Sequence, residues 1–270
     1  MAILTHGSDL TLAPTIGPLL PSSGGTVRGA LDKLSAAEFH SVQLSAAIPG
    51  IRPRDLDKRA RRDLIAMLTR QSFRLAGLDL FIPRAHFLDT AQVDRAVGAV
   101  VAAIELAADL GRVPLSVALP MVGLSDDVKH ALVQAADGRG ISLAVHAEDQ
   151  SKELLDWLAA VDLPALGAAI DPAVMLAAGA DPVALAQRLG PRLRVARLSD
   201  AVSGSDLASE SGSSRCVVGQ GELDVIPYRV ALDLAQGRLG PVVLELRGLP
   251  QPLAAAAQAN RQWSNAAFTA

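Results

Sequence analysis

Residues 97–146 read VGAVVAAIELAADLGRVPLSVALPMVGLSDDVKHALVQAADGRGISLAVH and hold two helical stretches, each followed by an apolar run. In both helical stretches apolar residues recur at three- and four-residue spacing, as on one face of a helix. Gly111 and Gly140 end these stretches, where glycine readily adopts the left-handed conformation that closes a helix. The apolar runs at 114–119 and 142–146 have the length and composition of buried parallel strands. This part of the chain therefore predicts alternating helices and parallel strands.

The same alternation continues in both directions along the chain. Eight apolar runs are found, at residues 12–16, 41–44, 75–82, 114–119, 142–146, 167–171, 193–198 and 242–246. Eight strand–helix units within 270 residues predict a closed (β/α)8 TIM barrel that spans residues 1–270 as a single domain. An open doubly wound sheet is disfavoured because no GxGxxG fingerprint follows the first run.

Composition limits the partners and the compartment of the protein. The formal net charge of -3 and the lack of a basic stretch argue against binding to nucleic acid. No apolar run is long enough to span a membrane, and the N-terminus lacks the pattern of a signal peptide. A single cysteine, Cys216, fits a reducing interior. We therefore expect a cytoplasmic protein. The sequence does not decide whether it forms a homo-oligomer.

One long segment differs in composition from the rest of the chain. Residues 200–215, DAVSGSDLASESGSSR, are rich in serine, glycine and aspartate, and they follow the seventh predicted strand. This composition predicts a mobile loop over residues 199–216. In a barrel the loop would rise from the C-terminal face, where active sites form. It is interpreted either as a disordered surface loop or as a lid.

Polar side chains stand at the ends of otherwise aliphatic strands, where core packing does not explain them. In a TIM barrel these ends meet at the catalytic face. The residues at or just after the strand ends are Arg84, His86, His146, Glu148, Asp171, Arg197, Glu245 and Arg247.

Several segments match a known family in order and spacing. They are FIPRAHFLDTAQVDRAVGAVVAAIELAADLG (81–111), LAVHAED (143–149), AAIDPAVMLAAGADP (168–182), VARLSD (195–200), VVGQGELDVIPYRVAL (217–232) and VVLELRG (242–248). Together they resemble the xylose isomerase-like barrels, in particular the sugar phosphate isomerase/epimerase branch. The resemblance implies an isomerase or epimerase that moves a proton of a small carbohydrate through an enediolate.

The resemblance also implies a divalent metal held by a glutamate, an aspartate, a histidine and a glutamate on strands five to eight. Asp171 and Glu245 match the second and fourth of these positions, whereas His146 and Arg197 occupy the other two. With a neutral histidine, the family's four ligands have a formal charge of -3, and the residues of this chain have a formal charge of -1. A guanidinium has no lone pair to offer a metal.

Three interpretations of the site remain open. In the first, Arg197 stands aside, and His146, Asp171 and Glu245, with or without Glu148, bind manganese, zinc or magnesium. In the second, no metal is needed, because Arg197 replaces it as the electrophile and His146 or Glu245 is the base. In the third, Arg197 forms charge-assisted hydrogen bonds with Asp171 and Glu245 that are only structural, and the barrel binds a ligand or partner without isomerase activity.

Four residues are predicted to bind the substrate: Arg84, His86, Glu148 and Arg247. Two of them have structural alternatives, since His86 could cap the helix near Asp89 and Glu148 could favour the start of a helix. The Gly219–Gln220–Gly221 turn is a candidate site for a substrate anion. The metal-dependent endonucleases of the same superfamily are disfavoured by the few histidines and the negative charge.

Overall fold

A computed structural model of the protein describes residues 10–204, 215–235 and 239–267. The barrel strands are β1 (Leu12–Pro14), β2 (Ser41–Ser45), β3 (Arg74–Leu80), β4 (Leu115–Ala118), β5 (Leu143–His146), β6 (Leu166–Ile170) and β7 (Leu193–Leu198), followed by β10 (Val242–Leu244). Two short strands, β8 (Asp200–Ala201) and β9 (Arg215–Cys216), pair with each other outside the barrel. Within the described ranges, no helix combines the length and apolar character that a membrane crossing requires.

The eight barrel strands run parallel in the order β2-β3-β4-β5-β6-β7-β10-β1. The ring closes where Thr15, just after β1, forms a parallel bridge with Gln43 on β2. There the backbone N–H of Ile16 donates to the carbonyl of Gln43 at 3.1 Å. The predicted TIM barrel is therefore confirmed, and each of the eight predicted apolar runs overlaps one of its strands.

Helices cover the outside of the barrel. They are α1 (Val27–Ala36), α2 (Lys58–Arg70), α3 (Val93–Asp109), α4 (Asp126–Arg139), α5 (Ser151–Ala160), α6 (Pro172–Ala177), α7 (Pro182–Leu189), α8 (Val225–Leu234) and α9 (Pro252–Ala267). Several begin at a side chain that accepts a backbone N–H of the first turn, as Thr26, Asp57 and Ser125 do. Gly140 ends α4 in the left-handed conformation, with φ of 63°, as its place in the sequence predicts.

The inside of the barrel is packed with small aliphatic side chains. Four of them form a cluster separate from the main core: Ala144, Ala169, Val195 and Val243. Two positions further along their strands stand His146, Asp171, Arg197 and Glu245. Because alternate residues of a strand share a face, all four are directed towards the barrel axis at its C-terminal end.

The predicted loop at 199–216 contains ordered structure at both of its ends. Asp200 and Ala201 pair antiparallel with Cys216 and Arg215, which forms the β8–β9 ladder. Residues 205–214 lie outside the described residues, so the mobile loop and its interpretation as a lid stay predictions.

A buried carboxylate anchors this ladder. Asp200 is fully buried and accepts hydrogen bonds of 2.9–3.0 Å from the backbone N–H groups of Ala201, Gly219, Gly221 and Leu223. The approach is so close that a Cβ at Gly221 would lie 2.3 Å from Asp200 Oδ1. Position 221 therefore requires glycine.

We expect Gly221→Ala to lower the free energy of unfolding by about 1–3 kcal/mol, because the added methyl group would force Asp200 and its turn apart. Urea unfolding curves measure this change. Gly98→Ala is the matched control, since a Cβ at this exposed position of α3 meets nothing within 4 Å. Alanine is favoured over glycine in a helix, so the control should gain up to about 1 kcal/mol. Equal effects of the two changes would contradict this account of the turn.

Candidate active site

Arg197 lies at the centre of the C-terminal end of the barrel and contacts three carboxylates. Its Nη1 atom is 2.9 Å from Glu245 Oε2 and 3.2 Å from Asp171 Oδ2, and its Nη2 atom is 3.5 Å from Asp79 Oδ2. Arg197 is 5% exposed, and the three carboxylate residues are buried with it. The sequence predicts the contacts with Asp171 and Glu245, whereas Asp79 was not among the predicted site residues.

Two further arginines complete the cluster. Arg215, on β9, places Nη2 2.7 Å from Asp171 Oδ2, and Arg247 places Nη2 2.7 Å from Glu245 Oε2. The backbone N–H of Arg247 also donates to Glu245 Oε1 at 3.0 Å. Arg247 therefore lies beside Glu245, and its predicted role in substrate binding stays a prediction. Arg215 was missed because it stands at the end of a loop, where no local pattern marks it.

The cluster contains three positive and three negative side chains, so its formal charges balance. We call it the arginine–carboxylate cluster; its members are Arg197, Arg215, Arg247, Asp79, Asp171 and Glu245. Burial alone would raise the pKa of Asp171, but Arg215, Arg197 and a 2.6 Å hydrogen bond from Ser199 hold it well below its ordinary value. Burial likewise acts to raise the pKa of Glu245, and Arg247 and Arg197 outweigh it and lower the pKa to about 2. Both carboxylates thus remain ionised at neutral pH and are weak bases.

His146 is oriented by Glu148. The imidazole Nδ1 atom lies 2.6 Å from Glu148 Oε1, and the same oxygen accepts the backbone N–H of Asp171 at 2.9 Å. A carboxylate accepts hydrogen bonds, so this geometry matches the tautomer in which Nδ1 donates to Glu148 and Nε2 carries the lone pair. Nε2 is buried and has no hydrogen-bond partner in the part of the chain that the structure describes. Glu148 thus orients His146 instead of only starting a helix.

The two site residues predicted after β3, Arg84 and His86, have different surroundings in the structure. Arg84 lies beside the site, with Nη1 2.5 Å from Asp149 Oδ1 and Nη2 donating to the carbonyl of His146 at 3.3 Å. His86 lies on the same short turn, Arg84–Phe87, with its side chain half-buried. It lies close enough to Asp89 to help the backbone N–H of Ala91 lower the pKa of that carboxyl. This position favours the structural alternative for His86.

The predicted metal ligands do not fit a divalent cation in this arrangement. Asp171 and Glu245 are both bound to the guanidinium of Arg197, which cannot coordinate a metal, so only Nε2 of His146 is left unpaired among the three predicted ligands. Among residues 10–204, 215–235 and 239–267, no group of three or more His, Cys, Asp or Glu side chains is arranged to hold a metal ion.

The predicted anion site at the Gly219–Gly221 turn is wrong. The N–H groups of Gly219 and Gly221 donate to Asp200, and that of Gln220 donates to the carbonyl of Val217. The turn does bind an anion, as its glycines suggest, but that anion is a side chain of the protein itself.

The depressed pKa of Glu245 predicts a pH dependence of stability. A carboxyl with pKa lowered from 4.5 to about 2 on folding stabilises the fold above about pH 4.5, and this contribution is lost as the pH falls towards 2. Its size is on the order of 3 kcal/mol. We expect Glu245→Gln to flatten the fall in unfolding free energy between pH 4.5 and 2. Chemical denaturation at a series of pH values measures the slope. The same substitution at the half-exposed Glu105 should leave the slope unchanged, and equal slopes in all three proteins would contradict the prediction.

The model of the xylose isomerase-like TIM barrel family matches residues 31–267. No curated protein matches the sequence significantly. Among solved structures, the chain is similar to a xylose isomerase domain protein from Planctomyces limnophilus, with 17% identity, a TM-score of 0.73, and coverage of 95% of this chain and 96% of that chain. It is also similar to a xylose isomerase-like TIM barrel protein from Mycobacterium smegmatis in complex with magnesium, with 14% identity, a TM-score of 0.69, and coverage of 96% of both chains.

A third similar structure is that of L-ribulose 3-epimerase, with 14% identity, a TM-score of 0.66, and coverage of 97% of this chain and 92% of that chain. At such low identities the structural likeness shows the fold alone. The family match is independent of it and covers most of the sequence, from within α1 to the end of α9. The chain belongs to the xylose isomerase-like TIM barrel family.

Proposed function

We propose that the protein is a metal-independent isomerase or epimerase of a small carbohydrate, in which Arg197 takes the place of the metal ion. The observation that carries this proposal is the position of its guanidinium, within 2.9–3.5 Å of three buried carboxylates. Fixed positive charge at this point of the barrel is what an enediolate intermediate requires for its stabilisation.

His146 is the proposed base. Its Nε2 atom takes the proton from the carbon next to the substrate carbonyl, and the electron pair of that C–H bond forms a carbon–carbon double bond. The carbonyl oxygen becomes the oxyanion of the enediolate. Return of this proton to the former carbonyl carbon, with transfer of the hydroxyl proton to the carbonyl oxygen, yields the isomer. The epimer requires a second acid that protonates the original carbon from the opposite face while His146 keeps the abstracted proton.

Arg197 is the proposed electrophile. Its two Nη atoms are engaged by carboxylates, but its Nε atom is buried without a hydrogen-bond partner among the described residues. The Nε–H group therefore provides a charged donor for the oxyanion, and donors of this kind stabilise transition states strongly in a buried site.

Glu245, the other candidate base, suits proton abstraction less well. Its carboxylate contacts Arg197 and Arg247 and lies 3.3 Å from the hydroxyl of Thr15. Its pKa of about 2 makes it a poor proton acceptor at neutral pH. The unpaired Nε2 of His146 favours the histidine instead.

A second function, binding of a ligand without catalysis, is favoured by the closure of the site. The charges of the arginine–carboxylate cluster are paired, and Asp171, Arg197 and Glu245 are each no more than 5% exposed. A substrate reaches Arg197 only if a neighbouring side chain moves. Arg247, with a 40% exposed side chain, is the outermost member of the cluster.

Hydrogen–deuterium exchange separates the two functions. In D2O containing EDTA, we expect the protein to catalyse exchange at the carbon next to the carbonyl of at least one of D-fructose, D-tagatose, D-xylulose and L-ribulose. His146→Gln should slow this exchange by about 100-fold or more, since it removes the base. NMR of the sugar follows the loss of the C–H signal.

His130→Gln is the control for this experiment, because His130 is exposed on α4. It should leave the exchange rate unchanged. Exchange that requires added metal would contradict the metal-independent mechanism. Absence of exchange with all four sugars would favour the barrel that binds without catalysis.

A further inference from the structure

Gln43, on β2, carries a side chain amide that the fold leaves unpaired. The residue is 1% exposed, and neither Nε2 nor Oε1 has a hydrogen-bond partner among the described residues. Buried polar groups are nearly always paired, and an unpaired one lowers the stability of the fold. An amide kept in this state therefore indicates a partner that is not part of the chain.

The register of the barrel places this amide beside the candidate active site. Gln43 is the bridge partner of Thr15, whose hydroxyl lies 3.3 Å from Glu245 Oε1. Paired residues of neighbouring parallel strands direct their side chains to the same face of the sheet. Gln43 is thus directed into the barrel at the level of Glu245, to which Arg197 is bound.

A second unpaired atom lies on the next strand. Gln43 pairs with Gly77 on β3, and Asp79 stands two residues further along the same face. Asp79 Oδ2 is 3.5 Å from Arg197, but Asp79 Oδ1 is buried without a partner among the described residues. One donor nitrogen and two acceptor oxygens are therefore available on the β2–β3 side of the site.

This set of atoms selects hydroxyl groups. An amide offers both a donor and an acceptor, and a hydroxyl group satisfies both, whereas a carbonyl or phosphate oxygen only accepts. Asp79 Oδ1 likewise requires a donor. The arginine–carboxylate cluster beside it has three charges of each sign, so it provides no excess positive charge for a phosphate.

We propose that Gln43 and Asp79 form a hydroxyl-binding subsite that selects an uncharged, unphosphorylated polyhydroxy substrate. The subsite rests on the proposed function, because it lies at the same end of the barrel as His146 and Arg197. Gln43 contributes both hydrogen-bonding atoms of its amide to one substrate hydroxyl, and Asp79 accepts from a second.

The test compares stability and binding in Gln43→Met, which keeps an unbranched side chain and removes both polar atoms. Without ligand, this variant should melt about 2–4 °C higher than the wild type, because an unpaired buried amide is lost. Its affinity for D-xylulose, measured by calorimetry, should fall about 10-fold or more. A purely structural role of Gln43 would change stability in the opposite direction.

Gln71→Met is the control, because Gln71 stands at the end of α2 and its amide donates to Asp32 on α1. It should leave the affinity unchanged. Wild-type protein should bind D-xylulose at least 10-fold more tightly than D-xylulose 5-phosphate. A lower melting temperature of Gln43→Met, an unchanged affinity, tighter binding of the phosphate, or no binding of either sugar would each overturn the proposal.

Failure of the subsite and failure of the proposed function give different results. If D-xylulose binds through Gln43 but no sugar exchanges hydrogen for deuterium, the subsite stands and proton transfer fails. If exchange occurs with a KM that Gln43→Met leaves unchanged, proton transfer stands and the subsite fails.

Discussion

The site depends on one interaction, the contact of the Arg197 guanidinium with the carboxylates of Asp79, Asp171 and Glu245. Three buried carboxylates at such short separations would repel one another, and burial removes their hydration. A fixed cation offsets both costs. Here a side chain of the barrel supplies that cation, which makes the positive charge a permanent part of the fold.

The barrel places these groups through the two-residue period of its strands. Small inward side chains, among them Ala144 and Ala169, leave the C-terminal end of the barrel free for larger polar ones. Arg197 stands two residues beyond Val195 on β7, and so faces the same axis. Because of this two-residue alternation, hydrophobic patterns alone were enough to predict the strands and the residues at their ends. The pairing of Arg197 with Asp171 and Glu245 followed from charge once the strand ends were known.

Other parts of the site could not be predicted, because they depend on contacts across the barrel. Asp79 interrupts the apolar run at 75–82 and Gln43 the run at 41–44, but a polar residue within a strand does not reveal which face it occupies. Arg215 is brought in only by the ladder that Asp200 anchors. His86 follows β3 closely in sequence, but the short turn Arg84–Phe87 brings it near Asp89, so its place in the site stays a prediction.

The central claim is that Arg197 occupies the position of the metal, and metal binding by the purified protein tests it most directly. The measurement is the manganese and zinc content after purification without added metal, and again after incubation with each ion and removal of the excess. We expect no stoichiometric metal in either wild-type sample. The metal content should rise in Arg197→His, because this change removes the guanidinium and supplies an imidazole ligand. One equivalent of metal in the wild-type protein, lost on Asp171→Ala or Glu245→Ala, would contradict the claim.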